Sequence, residues 1–181
     1  MNKIRSDFPP DIKKFFTDLH RYLDEDLYFY GSVNRSDYFH GQSDIDVAIF
    51  TDNEYSLITK LQHFLHVKRD AFDKIVWKLD GLMIYGYKIK CDKHINSKCE
   101  IAIYNNVFKD KLLSEMKTYD NIPFHVAVLL FIIKTLYYTF PILNSKTYSY
   151  YKRLIFDDLY LRKKNTVFFL LKQDKNKINS I

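Results

Sequence analysis

Residues 28–50, YFYGSVNRSDYFHGQSDIDVAIF, constrain this chain more than any other stretch. An aromatic run ends in Gly31-Ser32, and a loop then leads to Asp44, Ile45, Asp46 and the apolar VAIF. Alternate residues of a strand share a face, so Asp44 and Asp46 project together from the start of a strand over residues 44–50. Two carboxylates aimed at one point repel each other unless a cation sits between them, and hard oxygen ligands suit Mg²⁺ or Mn²⁺. The Gly-Ser turn presents backbone N–H groups and a hydroxyl, which are the donors a phosphate accepts. Gly-Ser alone is an ordinary turn, and Asp-Ile-Asp alone can begin an ordinary strand with solvated acids. Together, in this order and between two strand-like runs, they read as a phosphate cradle beside a metal site.

The chain has 181 residues, 47% of them hydrophobic, enough for one compact α/β unit with a helical annex. Only 4 Gly and 4 Pro argue against a low-complexity or disordered chain. The start, MNKIRSDFPP, has no apolar core of the kind a signal peptide needs. The longest apolar run, residues 126–133, is too short to span a bilayer. A cytoplasmic protein with no membrane association is therefore the expectation. Net charge is +6, unevenly spread: residues 1–105 hold 15 Lys and Arg against 16 Asp and Glu, and the remainder 13 against 6. A basic half beside a metal site suits a polyanion such as RNA, although Lys-rich surfaces also serve solubility.

Periodicity divides the chain near residue 105. A helix is expected over residues 10–24, opened by Pro9-Pro10 and striped by Ile12, Phe15, Phe16, Leu19 and Leu23. Strands are expected over 27–30 and 44–50, and a helix capped by Asp52 or Asn53 follows, with Leu57, Ile58, Leu61, Phe64 and Leu65 inward. Three more strands are expected over 73–79, 82–90 and 98–104. Beyond 105 the pattern predicts helices: 107–117, a buried one over 124–140 stopped by Pro141, one over 146–161, and a short final one. The domain reading is residues 1–105 as catalytic core and 106–181 as a basic helical annex packed on it, with no linker between them.

Phosphoryl chemistry with two metal ions wants a further carboxylate on a neighbouring strand. Glu100 in KCEIAIYNN fits, with Ile101 and Ile103 on alternate positions, while Asp80 and Asp92 lie at apparent turns. Cys91 and Cys99 bracket DKHINSK at a spacing that permits a cross-strand pair. The reading for an intracellular chain is two free thiols. Zinc through Cys91, His94 and Cys99 is the alternative, lacking a fourth ligand.

The segment around Gly31-Ser32, Arg35 and Ser43-Asp44-Ile45-Asp46 resembles the signature of the DNA polymerase β-like nucleotidyltransferase superfamily. That resemblance implies an α/β (α+β) nucleotidyltransferase fold, a mixed sheet with flanking helices. It also implies two Mg²⁺ or Mn²⁺ ions and a nucleoside triphosphate donor such as ATP. Gly31, Ser32, Arg35 and Ser43 would be nucleotide-binding, and Asp44, Asp46 and Glu100 catalytic and metal-ligating. The run from CEIAIYNN through FHVAVLLFIIKTLYYTF is similar to the core of poly(A) and poly(U) polymerases. By that similarity Lys134 and Ser149 would grip the triphosphate and Tyr150 would stack on the base. Three departures stand out: Ser36 where Gly is common, Glu100 where Asp is usual, and Tyr138 where some members carry a second Lys. The 181 residues are too few to hold also the larger helical and RNA-binding domains of full-length polymerases.

The expected function is transfer of a nucleoside monophosphate to a hydroxyl, with release of pyrophosphate. The acceptor expected is an RNA 3′ end, with Lys152, Arg153, Arg162, Lys163 and Lys164 as phosphate contacts. Alternatives are a small-molecule or protein acceptor, or a non-catalytic nucleotide- or RNA-binding module within a larger complex or homo-oligomer.

Overall fold

Two local signals set the frame. Asp80 and Gly81 both take positive φ, 50° and 85°, the conformation a two-residue hairpin turn demands. They join β3 (Asp73–Leu79) to β4 (Leu82–Lys90) in antiparallel register. Asn53 caps α2 (Glu54–Leu65) by accepting from the Ser56 N–H at 3.0 Å. The structure is a computed structural model that describes residues 4–156 and, as backbone, residues 167–171.

Six strands form one sheet in the order β1-β2-β5-β4-β3-β6, with β1 (Tyr28–Tyr30), β2 (Ile45–Thr51), β5 (Cys99–Asn105) and β6 (Val167–Leu171) as the remaining members. β2 and β5 run parallel, and every other neighbouring pair is antiparallel. Strand alternation sorts the side chains into two layers. Val47, Ile49, Ile101 and Ile103 pack on α1 (Pro10–Leu23) and α2, through Phe16, Leu19, Leu57 and Leu61. Ala48, Phe50, Ala102 and Tyr104 pack on the other face against Leu112 and Met116 of α3 (Lys109–Asp120). Gly86 lies beside Tyr104, and a Cβ there would stand 2.6 Å from the Ile103 carbonyl and the Tyr104 ring. The absence of a side chain at Gly86 is what admits the buried Tyr104, whose hydroxyl accepts from Trp77 Nε1 at 2.9 Å.

α4 (Phe124–Tyr138) and α5 (Ser145–Arg153) lie beyond α3. The expected burial of α4 all round is not found. Only the stripe Val126, Leu130 and Lys134 is buried, and Phe124, Phe131 and Ile132 are exposed among the described residues. One side of this helix meets the loop after β1, and no described residue covers the opposite side. The final short helix is also corrected: residues 167–171 form β6, paired with β3. VFFLL is rich in the aromatic and β-branched residues that strands favour, and β3 offers an otherwise open edge. α5 ends at Arg153 and residues 154–156 continue it as a π-helical turn, while the remainder of the helix expected over 146–161 lies outside the described residues. Among the described residues no single helix is long and apolar enough to cross a membrane.

Candidate active site

The chain leaves β1 through Gly31, whose φ of +76° is one that L side chains rarely adopt. A Cβ at Gly31 would also stand 3.3 Å from Asp46 Oδ2, so the glycine brings the backbone against that carboxylate. The Gly31 N–H donates to Asp120 Oδ1 at 2.5 Å, and Asn34 Nδ2 donates to Asp120 Oδ2 at 2.7 Å. Asp120, the last residue of α3, therefore occupies one donor of the expected phosphate cradle. Burial raises its carboxyl above the ordinary range, opposed by those two donors and by Arg35. The Ser32 hydroxyl, 3.5 Å from the Asp44 carbonyl, is the exposed polar group left at this turn.

β2 starts at Ile45, so Asp44 sits one residue before the strand rather than in it. Asp46 is inside β2 and aligned with Glu100 of β5, and parallel register places both side chains on one face. Burial, then Glu100, then Asp44 push the Asp46 carboxyl up to about 7, opposed by Lys152 and Lys88. Glu100 is drawn to Lys88 at 2.6 Å, with Lys90 at 3.9 Å. Asp44 and Asp46 line the main cavity and Glu100 does not. Among the described residues no three His, Cys, Asp or Glu side chains are grouped to hold a metal ion. The acids nevertheless fit a divalent cation, because the pull of Lys152 and Lys88 on Asp46 does not offset its burial and the two neighbouring carboxylates. Asp44 and Asp46, both on the cavity wall, are the residues that would hold such an ion, and Glu100 could join on releasing Lys88.

Across the cavity the sequence reading missed a fastener. Asp37 is fully buried, binding Arg35 through Nε at 2.7 Å and Nη2 at 3.0 Å, and Lys134 Nζ at 2.7 Å. Burial alone would raise the Asp37 carboxyl, but the two cations hold it below its ordinary value. Lys134 Nζ also donates to the Asp37 carbonyl at 2.8 Å and lies 3.5 Å from Ser43 Oγ; burial lowers its pKa against the pull of Asp37. Arg35 spends Nη1 on the Tyr119 carbonyl at 2.9 Å. Arg35, Ser43 and Lys134 do line the cavity, but the charged ends of Arg35 and Lys134 are engaged with Asp37, locking the loop after β1 onto α4.

The cavity, about 620 Å³, lies between the sheet, α3 and the α4–α5 pair. Ser149, Lys152 and Arg153 form part of its wall. Tyr150 does not: it is 63% exposed, against Tyr151, so the ring expected to stack on a base stands off the cavity wall. Tyr137 and Tyr148 stack at 4.3 Å and 5° on the cavity wall, beside Tyr138. The sequence signal for them was only a Tyr-rich segment. Arg162, Lys163 and Lys164 lie outside the described residues. Asp92 and Asp80 are spent elsewhere, on the Cys99 N–H at 2.8 Å and on Lys111 at 2.6 Å. Cys91 and Cys99 are free, buried thiols with sulfurs 2.9 Å apart.

The nucleotidyltransferase domain family matches residues 10–125, well over half of the chain. The protein belongs to that family, within the polymerase β-like superfamily, a family whose general chemistry is nucleotidyl transfer. A solved structure of the Cid1 poly(U) polymerase with MgGTP bound is similar at 15% identity and a TM-score of 0.40, over 70% of this chain. The chain spans 40% of the length of that polymerase. No curated protein matches the sequence.

Proposed function

We propose that the protein moves a nucleoside monophosphate from a nucleoside triphosphate to a hydroxyl, with an RNA 3′ end as acceptor. The observation that carries this reading is one cavity with Asp44 and Asp46 on one wall and Lys152, Arg153 and Ser149 on another. That arrangement puts acids that suit a cation and groups that suit a polyphosphate on the walls of one cavity. Mg²⁺ or Mn²⁺ bound at Asp44 and Asp46 would neutralise charge on the reacting phosphate. Ser32, Ser149, Lys152 and Arg153 hold the phosphates and the departing pyrophosphate in line. Lys134, already paired with Asp37, positions the Ser43 turn next to Asp44. Glu100 becomes available to the attacking hydroxyl when Lys88 turns away, and the stacked Tyr137 and Tyr148 offer an aromatic wall. The basic C-terminal half, Arg162, Lys163 and Lys164 included, supplies the attraction for an RNA backbone.

A second reading has one observation in its favour. Glu100 is tied to Lys88 and the three acids are not closed into a ligand set, as in a nucleotide-binding module without catalysis. Incubation with each labelled triphosphate, Mn²⁺ or Mg²⁺ and total RNA separates the possibilities. Labelled RNA with wild type and none with Asp44→Ala or Asp46→Ala supports transfer to RNA. Label on the protein or a small molecule redirects the acceptor. Nucleotide binding without transfer under any condition overturns the enzymatic reading.

A further inference from the structure

One cavity residue outside these roles has a polar atom with no partner. Glu115, in α3, lines the cavity, and its Oε1 is buried without a hydrogen-bond partner among the described residues. A shielded carboxylate oxygen with no donor is unfavourable, and native folds keep few of them. It is explained when a ligand brings the donor. The surroundings say which end of a ligand that is. Leu112 and Met116 flank Glu115 on α3 and pack in one apolar cluster with Trp77 and Tyr30. All four also line the cavity. Of the cations on the cavity wall, Arg35 and Lys134 are engaged with Asp37, and the other three, Lys98, Lys152 and Arg153, come from the segment before β5 and from α5. A polyphosphate is repelled by a carboxylate and drawn to those cations, so the phosphates belong at the α5 side. The nucleoside then lies toward α3, where its base can meet apolar and aromatic side chains.

We propose that Glu115 selects the nucleoside of the incoming nucleotide, Oε1 accepting one hydrogen bond from a base N–H or a ribose hydroxyl. This rests on the nucleotidyltransferase reading above and names the part of its substrate that α3 recognises. A charged acceptor that loses its donor, or a ligand that loses its charged acceptor, changes affinity by roughly 10- to 150-fold.

The test measures binding of ATP, GTP, CTP and UTP, their 2′-deoxy forms, and inorganic tripolyphosphate in Mg²⁺, for wild type, Glu115→Gln and Glu115→Leu. Glu115→Leu should bind the preferred nucleotide at least about tenfold more weakly and tripolyphosphate as tightly as wild type. Glu115→Gln, which keeps an acceptor oxygen, should fall between them. Loss of base preference with the ribose-to-deoxyribose ratio intact assigns the donor to the base. Collapse of that ratio assigns it to the ribose. Glu115→Leu should melt at or above the wild-type temperature in the absence of nucleotide, because it removes the unpartnered buried oxygen. Unchanged affinity for all eight nucleotides in Glu115→Leu, or an equal loss for tripolyphosphate, overturns the proposal. Wild-type protein that binds neither tripolyphosphate nor any nucleotide sinks the nucleotidyltransferase reading itself, and the Glu115 assignment with it.

Discussion

Replacing Asp46 by Asn should stabilise the metal-free protein, and the gain should depend on pH. Asp46 sits in β2 level with Glu100, behind Asp44, and its carboxyl is pushed from an ordinary 3.8 up to about 7. The gap is about three pH units, and each unit is worth about 1.36 kcal/mol, so the ceiling is about 4 kcal/mol. Asp46 keeps a partial opening to the cavity, and solvent screening brings the expected effect to about 2 kcal/mol. The sign follows from the raised value. Between about pH 4 and pH 7 the folded protein retains a proton that the unfolded chain releases, so stability falls as pH rises through that window and is level above it. Asn carries no such proton. The gain from Asp46→Asn should therefore be small at pH 4 and about 2 kcal/mol at pH 8, or about 4–8 °C in Tm for a chain of this size. Thermal melts in EDTA at both pH values read this directly. Addition of Mn²⁺ at pH 8 should raise the melting temperature of wild type and leave that of the variant where it was. A gain equal at the two pH values, or a loss at pH 8, refutes the account of an uncompensated acid cluster.

Asp37→Asn should cost about 3–5 kcal/mol in urea or thermal unfolding, because it leaves Arg35 and Lys134 buried without their shared counter-charge. A loss below about 1 kcal/mol would show that the two cations reach water or another acid. Gly86→Ala should cost about 1–3 kcal/mol, because its Cβ would meet a backbone carbonyl and a buried ring at 2.6 Å, neither free to retreat. A neutral outcome would mean that β4 and β5 can part without disturbing Tyr104.

The turn at Gly31, the acids at 44 and 46 and the face of Glu100 were legible because each depends on short-range rules. A positive-φ turn, the alternation of a strand and a charge pattern all act within a few residues. Asp46 and Glu100 share a face in the structure, and Ile101 and Ile103 pack on the other side, as alternation requires. The same rules failed where an apolar run was short: VFFLL carries no period long enough to separate strand from helix, and the open edge of β3 decided. They failed again at α4, whose composition reads as buried while docking covers only one stripe of it. The partners inside the site were beyond any local rule. Lys134 meets Asp37 across 97 residues, and Asp120 meets the Gly31 N–H across 89. Lys88 takes Glu100 because β4 and β5 are neighbours in the sheet. By itself the sequence determined which chemical groups the cavity can hold, since those follow from residue type and spacing along one strand and one turn. Only the tertiary structure decided which of them are already paired with each other and which, Ser32, Lys152, Arg153 and Glu115 among them, still face the cavity. A buried charge pairs with whatever the docking of distant elements brings within about 3 Å.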